Sequence, residues 1–173
     1  MVNQPISLDQ LDARLIGALT ENPRRGVVDL ATAMGVARNT VQARIRRLEE
    51  SGVLDGFTPQ LDLNRIGVAV MAWAALALEQ AELDRVVEAL VAESHVMEVL
   101  TTTGREDLMV RVAAATHAEL QGVVQRIVAI PGVSHSNTMI VLTAPLRPRV
   151  QPLLDELTKD AGWGRSTALP VGG

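Results

Sequence analysis

The sequence predicts an α+β protein, with three N-terminal helices followed by a domain in the order β-α-β-β-α-β. Three observations carry that expectation. Apolar residues recur at helical spacing through residue 51, apolar strands alternate with two amphipathic helices between residues 68 and 143, and basic charge is concentrated in one short window. The 173 residues are 47% hydrophobic, enough for one or two small domains with real cores. The net charge of −4 argues against a uniformly polyanion-binding surface, yet Arg24–Arg47 holds six arginines against one acid, Asp29.

Ser7-Leu8-Asp9-Gln10 has the pattern of a capping box, and Leu8, Leu11, Leu15 and Leu19 then recur at helical spacing up to a stop at Asn22-Pro23. A second helix is expected over Val27–Met34, with Val27, Leu30, Ala31 and Met34 on one face. Gly35-Val36-Ala37 breaks it. A third helix follows from Arg38 to about Ser51, with Val41, Ile45 and Leu48 inward and Gly52 at its end. Two helices joined by a three-residue turn that begins with glycine form a helix-turn-helix, although a plain three-helix bundle with a solvated basic face shares this spacing.

The outward face of the third helix separates those readings. With Val41, Ile45 and Leu48 inward, Arg38, Asn39, Gln42 and Arg46 project together. Arg can grip guanine O6/N7, and Asn or Gln adenine N6/N7, in the major groove of double-stranded DNA. A recognition helix reads bases mainly with its first residues, which selects Arg38, Asn39 and Gln42, with Thr40 suited to a base or a phosphate. Arg24, Arg25, Arg46 and Arg47 suit phosphate contacts, which set register without reading sequence. Arg44 lies beside the inward stripe, so a buried pairing and a DNA contact are both open to it.

In the second domain, Val68–Leu78 reads as a strand and Leu83–Ala92 as a helix, with Val96–Thr103 and Leu108–Ala114 as a hairpin. A helix at His117–Ala129 and a strand at Val133–Thr143 complete a ferredoxin-like βαββαβ domain with both helices on one sheet face. The first strand is apolar at both parities: Val68, Val70, Leu76 and Leu78 on one side, Met71 and Trp73 on the other. A sheet with one solvated face should alternate, so both faces are expected to be covered, the second by a partner's sheet in a homodimer. The domains expected are 1–52, a connector strand or linker at 53–67, 68–144, and an extension at 145–173. The extension begins with the stiff Pro145-Leu146-Arg147-Pro148-Arg149. A short helix follows, with an apolar face of Leu153, Leu154 and Leu157, which is expected to pack on the oligomer ahead of a disordered end.

The chain resembles the Lrp/AsnC (feast/famine) family of bacterial and archaeal transcription regulators. The matching segments are Leu8-Asp9, Leu11-Asp12, Leu15-Ile16, Arg24, Leu30-Ala31, Gly35, Thr40-Val41, Arg44-Ile45, Leu48-Glu49, Gly52-Val53-Leu54 and Gly56-Phe57. They continue through Asp62, Gly67, Gly104, Asp107, Pro131-Gly132-Val133, Thr138 and Val141-Leu142, so the resemblance spans roughly residues 6–144. It implies sheet-to-sheet dimers that assemble to tetramers or octamers, with a small-molecule effector, an amino acid, bound in clefts between dimers. On this resemblance the effector residues are the turn Thr103, Gly104, Arg105, Glu106 and Asp107, together with Ser136 and Thr138 on the last strand. The carboxylate-rich turn favours a basic or polar effector over leucine. One departure is Ala37, where the family usually has a serine capping the recognition helix; Ser→Ala at such a cap typically costs ~0.5–2 kcal/mol.

Other functions find less support. There is no cysteine, which excludes thiol catalysis and cysteine-ligated metals, and 2% aromatic residues cannot build a base-stacking platform. His95, His117 and His135 are scattered, no catalytic motif is present, and no metal, cofactor or enzymatic activity is expected. Two alternatives remain. Siroheme decarboxylases share the architecture and would make His135 the residue of interest, and an amino-acid-sensing module could have lost DNA contact. The longest apolar run, Val68–Leu78, is short of the ~20 residues of a membrane helix. Residues 1–10 show no signal-peptide pattern, so no membrane association and a cytoplasmic location are expected.

Overall fold

The computed structural model describes residues 6–164, which fall into two compact units. One comprises the residues through Pro59 together with those from Arg147 on, and the other is Gln60–Leu146. In chain order the elements are α1 (Gln10–Glu21), α2 (Val27–Met34), α3 (Arg38–Glu50), β1 (Val70–Leu78), α4 (Leu83–Ala92), β2 (Val96–Thr101), β3 (Leu108–Ala114), α5 (His117–Val128), β4 (Val133–Ile140) and α6 (Gln151–Thr158).

The first unit packs α1, α2 and α3 around Leu11, Leu15, Leu19, Leu30, Val41 and Leu48. The N-cap of α1 is Asp9, not Ser7. The Asp12 amide donates to Asp9 Oδ1 at 3.0 Å and the Asp9 amide to Asp12 Oδ2 at 3.1 Å, a capping box built from two carboxylates. Gly35 ends α2 in the left-handed conformation, φ +64°, which glycine adopts without steric cost and which turns the chain into α3. Residues 53–67 form no strand. They hold a 3-10 turn at Leu63–Ile66, and the Val68 amide bonds back to Leu63, which delays β1 to Val70.

The extension differs most from expectation. Its helix, α6, packs on α1 within the first unit, and the face is carried by Leu154 and Thr158, both buried. Leu153 and Leu157 are 59% and 67% exposed, because one buried residue per turn suffices against a single neighbouring helix. Trp163 packs against the same core. The disordered end expected for the chain lies outside the described residues.

The second unit is a four-stranded antiparallel sheet in the order β2-β3-β1-β4. Val70, Ala72, Ala74 and Leu76 of β1 alternate toward Val86 and Leu90 of α4 and Leu120, Val123 and Ile127 of α5. Burying each of these Val, Leu and Ile side chains contributes about 1.5–3 kcal/mol. Met71 and Trp73 point to the opposite face, as their parity requires. The expected strand ends contract, with β2 stopping at Thr101 and β4 at Ile140, and α5 stops at Val128.

Candidate functional site

In the first unit, Arg38, Asn39 and Gln42 are exposed on α3, Thr40 is half-buried, and Arg46 is exposed one turn further on. Among the described residues the side chains of Arg24, Arg25, Arg38 and Arg46 make no ion pair. Asn22 shapes the turn that carries two of them: its Oδ1 accepts from the Arg24 amide at 3.1 Å and its carbonyl from the Arg25 amide at 3.0 Å. A polar cleft of about 520 Å³ lies there, lined by Asn22, Arg24, Arg25, Asp29, Thr32 and Ala33. Ala37 is the N-cap of α3 and supplies no side-chain hydrogen bond.

Ion pairs tie α3 to the start of α1. Arg44 Nη1 donates to both oxygens of Asp9, at 2.7 and 2.6 Å, and to Asp12 Oδ1 at 2.8 Å, while Arg47 Nη2 donates to Asp12 Oδ2. The pairing left open for Arg44 is therefore intramolecular. Arg47, read as a phosphate contact, is tied to Asp12 but keeps 47% of its side chain exposed. Burial opposes ionisation of Asp12, yet the Asp9 amide and the two guanidiniums outweigh it and hold its carboxyl below the usual range. Burial likewise pushes Arg44 down, and Asp9 and Asp12 more than reverse this. Spacing alone did not reveal the pairing, because Asp9 and Asp12 read as capping residues.

In the second unit, the turn after β2 carries Thr103, Gly104, Arg105 and Glu106, with Gly104 at φ +133°, a conformation few other residues adopt. Asp107 closes it. Its Oδ2 accepts from the Leu78 amide at 2.7 Å, its own amide donates to the Leu76 carbonyl at 2.8 Å, and Thr102 Oγ1 donates to the Glu106 carbonyl at 2.5 Å. Asp107 borders a cavity of about 350 Å³ with Thr101, Thr102 and the segment Leu78–Ala81. Ala81 holds φ +67°, an uncommon angle for a residue with a side chain. The β1–α4 side of this cavity carried no sequence signal, since no glycine marks the turn.

Ser136 and Thr138 do not line that cavity. They pair with Leu76 and Ala74, which puts them on the helix-facing side of β4, where Ser136 Oγ is buried without a hydrogen-bond partner. His135 pairs with Ala77 and is exposed. His95 lies between two carboxylates, with Nδ1 2.9 Å from Glu93 and Nε2 3.0 Å from Glu119, and Arg126 pairs with Glu93 at 2.7 Å. The other sheet face carries an apolar depression of about 340 Å³ lined by Trp73, Leu100, Met109, Met139, Ile140 and Val141. No group of His, Cys, Asp or Glu among the described residues is arranged to hold a metal ion, and no helix among them is long and apolar enough to cross a membrane.

A helix-turn-helix unit followed by a ferredoxin-like unit defines a class of transcription regulators with a DNA-binding and a ligand-binding domain. Residues 8–49 match the family model of the AsnC-type helix-turn-helix domain, and residues 71–150 that of the Lrp/AsnC ligand binding domain. The HTH-type transcriptional regulator FL11 of Pyrococcus abyssi is 32% identical over 137 residues, covering 79% of this chain and 91% of that protein. The structure of Escherichia coli AsnC superposes with a TM-score of 0.79 at 25% identity, covering 85% of this chain and all of that one. A Neisseria meningitidis transcriptional regulator, solved as its L-Met complex, shares the fold at 18% identity with a TM-score of 0.76, covering 85% of this chain and 99% of that chain. The chain belongs to the Lrp/AsnC family of transcriptional regulators.

Proposed function

We propose that the protein is a homodimeric or higher-order regulator that reads double-stranded DNA through Arg38, Asn39 and Gln42 of α3. Thr40, Arg24, Arg25 and Arg46, with the exposed part of Arg47, set its register on phosphates. The observation that carries this reading is the first turn of α3, where hydrogen-bonding side chains stand exposed on a helix held from behind by Arg44. Dimerisation uses the sheet face of Trp73, Met109 and Met139, whose apolar surface favours a second apolar sheet. Above the dimer, tetramers or octamers form. The effector is an amino acid, as in the Neisseria relative's complex with L-Met, and it binds beside Asp107, Thr101 and Thr102 with the Gly104–Glu106 turn. Thr103 belongs to the same turn, whereas Ser136 and Thr138 enter such a site only through a neighbouring copy.

Binding to duplexes selected from random-sequence DNA tests the reading. Arg38→Ala or Asn39→Ala is expected to weaken selected-site binding by about 1–3 kcal/mol with little change on scrambled duplex. Arg24→Ala weakens both and lowers the salt slope by about one. Unchanged affinity in all three variants overturns the assignment of α3. A thermal-shift screen of the twenty amino acids tests the effector, and no shift with any of them removes it.

A further inference from the structure

The segment after Val150 lies beyond both matched domains, yet it is built into the DNA-binding unit. Gln151 Nε2 donates to the Ala13 carbonyl at 3.2 Å, and its amide lies so close to Gly17 that a Cβ there would stand 2.6 Å from Gln151 Oε1. Leu154 joins the core of α1, α2 and α3. At the start of α1, Gln10 Nε2 donates to the Lys159 carbonyl at 2.9 Å and the Gln10 amide to the Gly162 carbonyl at 3.0 Å. The Arg14 guanidinium sits 4.5 Å above the centroid of the Trp163 ring, a cation–π contact. Gly164 then lies directly on the ion pair that joins α1 to α3. A Cβ at this position would fall 2.0 Å from Asp9 Oδ2 and 2.5 Å from Arg44 Nη2, and its φ of +75° is itself unfavourable for other residues.

We infer that residues 151–164 are a positioning strap for the recognition helix. The helix α3 has no side-chain N-cap, and besides its apolar packing through Val41 and Leu48 it is tied to the start of α1 by Asp9 and Asp12 holding Arg44 and Arg47. Such pairs strengthen where water is kept from them. The strap covers the Asp9–Arg44 pair with backbone at Gly164 and fixes the start of α1 through Gln10 and Arg14. It thereby restrains both partners of the joint that sets the angle of Arg38, Asn39 and Gln42. Its contribution is to sequence discrimination, because phosphate contacts tolerate a small rotation of α3 and paired hydrogen bonds to base edges do not.

This inference rests on the DNA-binding reading, and the experiment separates the two. The full chain selects duplexes from random-sequence DNA, and binding to the selected and a scrambled duplex is measured at several salt concentrations for three variants. The first is a chain ended after Val150, which keeps Arg147 and Arg149. Residues 151–173 carry two basic and three acidic side chains, so their removal makes the protein less negative. A purely electrostatic effect therefore tightens binding to both duplexes. The strap instead predicts about tenfold weaker binding to the selected duplex, within the reach of indirect network perturbations, with scrambled-duplex binding and salt slope unchanged.

The second variant, Gly164→Val, places a side chain against Asp9 and Arg44 in the full chain and keeps the test decisive if the shortened chain does not fold; it lowers the same selectivity ratio. Trp163 supplies the third test. Trp163→Ala lowers the ratio, while Trp163→Phe, which keeps a ring beneath Arg14, retains most of it. Equal losses on both duplexes, or an unchanged ratio in Gly164→Val and Trp163→Ala, overturn the strap. Failure of the unaltered protein to select any duplex overturns the DNA-binding reading itself.

Discussion

The two units bury similar aliphatic side chains but differ in what else they bury and in what they leave outside. The helical unit encloses a charged carboxylate, Asp12, fully buried and shared by two arginines, and its α3 shows solvent a polar, hydrogen-bonding face. The core of the sheet unit is aliphatic and encloses no charged group among the described residues, and the unit leaves Trp73, Leu100, Met109 and Met139 along one sheet face. Each exterior suits a different partner. A hydrated polyanion with patterned base edges is met by exposed Arg, Asn and Gln, whereas an apolar face gains by covering itself. The interiors follow the same division. Aliphatic packing locates the sheet unit's helices broadly over their surface, while α3 adds to its apolar contacts directional charged hydrogen bonds that restrict its angle.

The largest effect expected from this contrast comes from Asp12→Ala. It takes from Arg47 its buried carboxylate and from Arg44 one of two carboxylate partners, and it destabilises the helical unit by about 3–5 kcal/mol, as loss of one partner of a buried pair does. Leu90→Ala, in the sheet unit, creates a cavity at a cost of about 2–5 kcal/mol. Amide hydrogen exchange distinguishes them, with protection lost in α1–α3 for the first and in β1–β4 for the second. Equal loss across both units in either variant breaks the division.

Trp73→Glu sharpens the contrast at the surface. It is expected to convert dimers to monomers in sedimentation velocity while the sheet unit keeps its circular dichroism spectrum, since Trp73 lies on the face away from the core. Dimers that persist remove the apolar face as the interface.

The smallest effect is the pH dependence of the sheet unit. Hydrogen bonding to Glu93, and then to Glu119, raises His95 above its ordinary 6.5, and Arg126 followed by His95 lowers Glu93 from 4.5 to about 2. Each ring nitrogen faces a carboxylate, so only the protonated ring donates to both. The His95 contribution is complete below pH 6.5 and disappears as pH rises through its raised value. The Glu93 contribution is complete above pH 4.5 and is lost as pH falls toward 2. The stability of the unit is therefore expected to decline modestly as pH rises above 6.5, and His95→Gln flattens that decline in urea titrations. An identical slope in the variant removes the His95 cluster as its source.

Much of this fold was legible because it rests on local periodicity. The bounds of α2 and α4 and the start of α5 follow from apolar spacing at 3.6 residues, and the two parities of β1 follow from a period of two. Strand ends were less legible, because Val68, Thr143 and their neighbours are apolar or β-branched but sit where pairing stops. The same limit applies to the sites. The exposure of Arg38, Asn39 and Gln42 followed by subtraction once the inward stripe of α3 was known. The cavity beside Asp107 was half visible, since its other wall, Leu78–Ala81, has no distinctive residues and is defined by a backbone turn. The separation of Ser136 and Thr138 from that cavity depends on the register against Leu76 and Ala74, which no single strand encodes.

By itself, then, the sequence determined the order of elements, the apolar stripes, the basic window and the family, all properties of neighbours along the chain. Only the tertiary structure decided which acid meets Arg44, which way α6 faces, and that Trp163 and Gly164 return to the start of α1. Those contacts join residues 9 and 44, or 14 and 163, and such pairings are chosen by complementary shape and charge once the helices have packed.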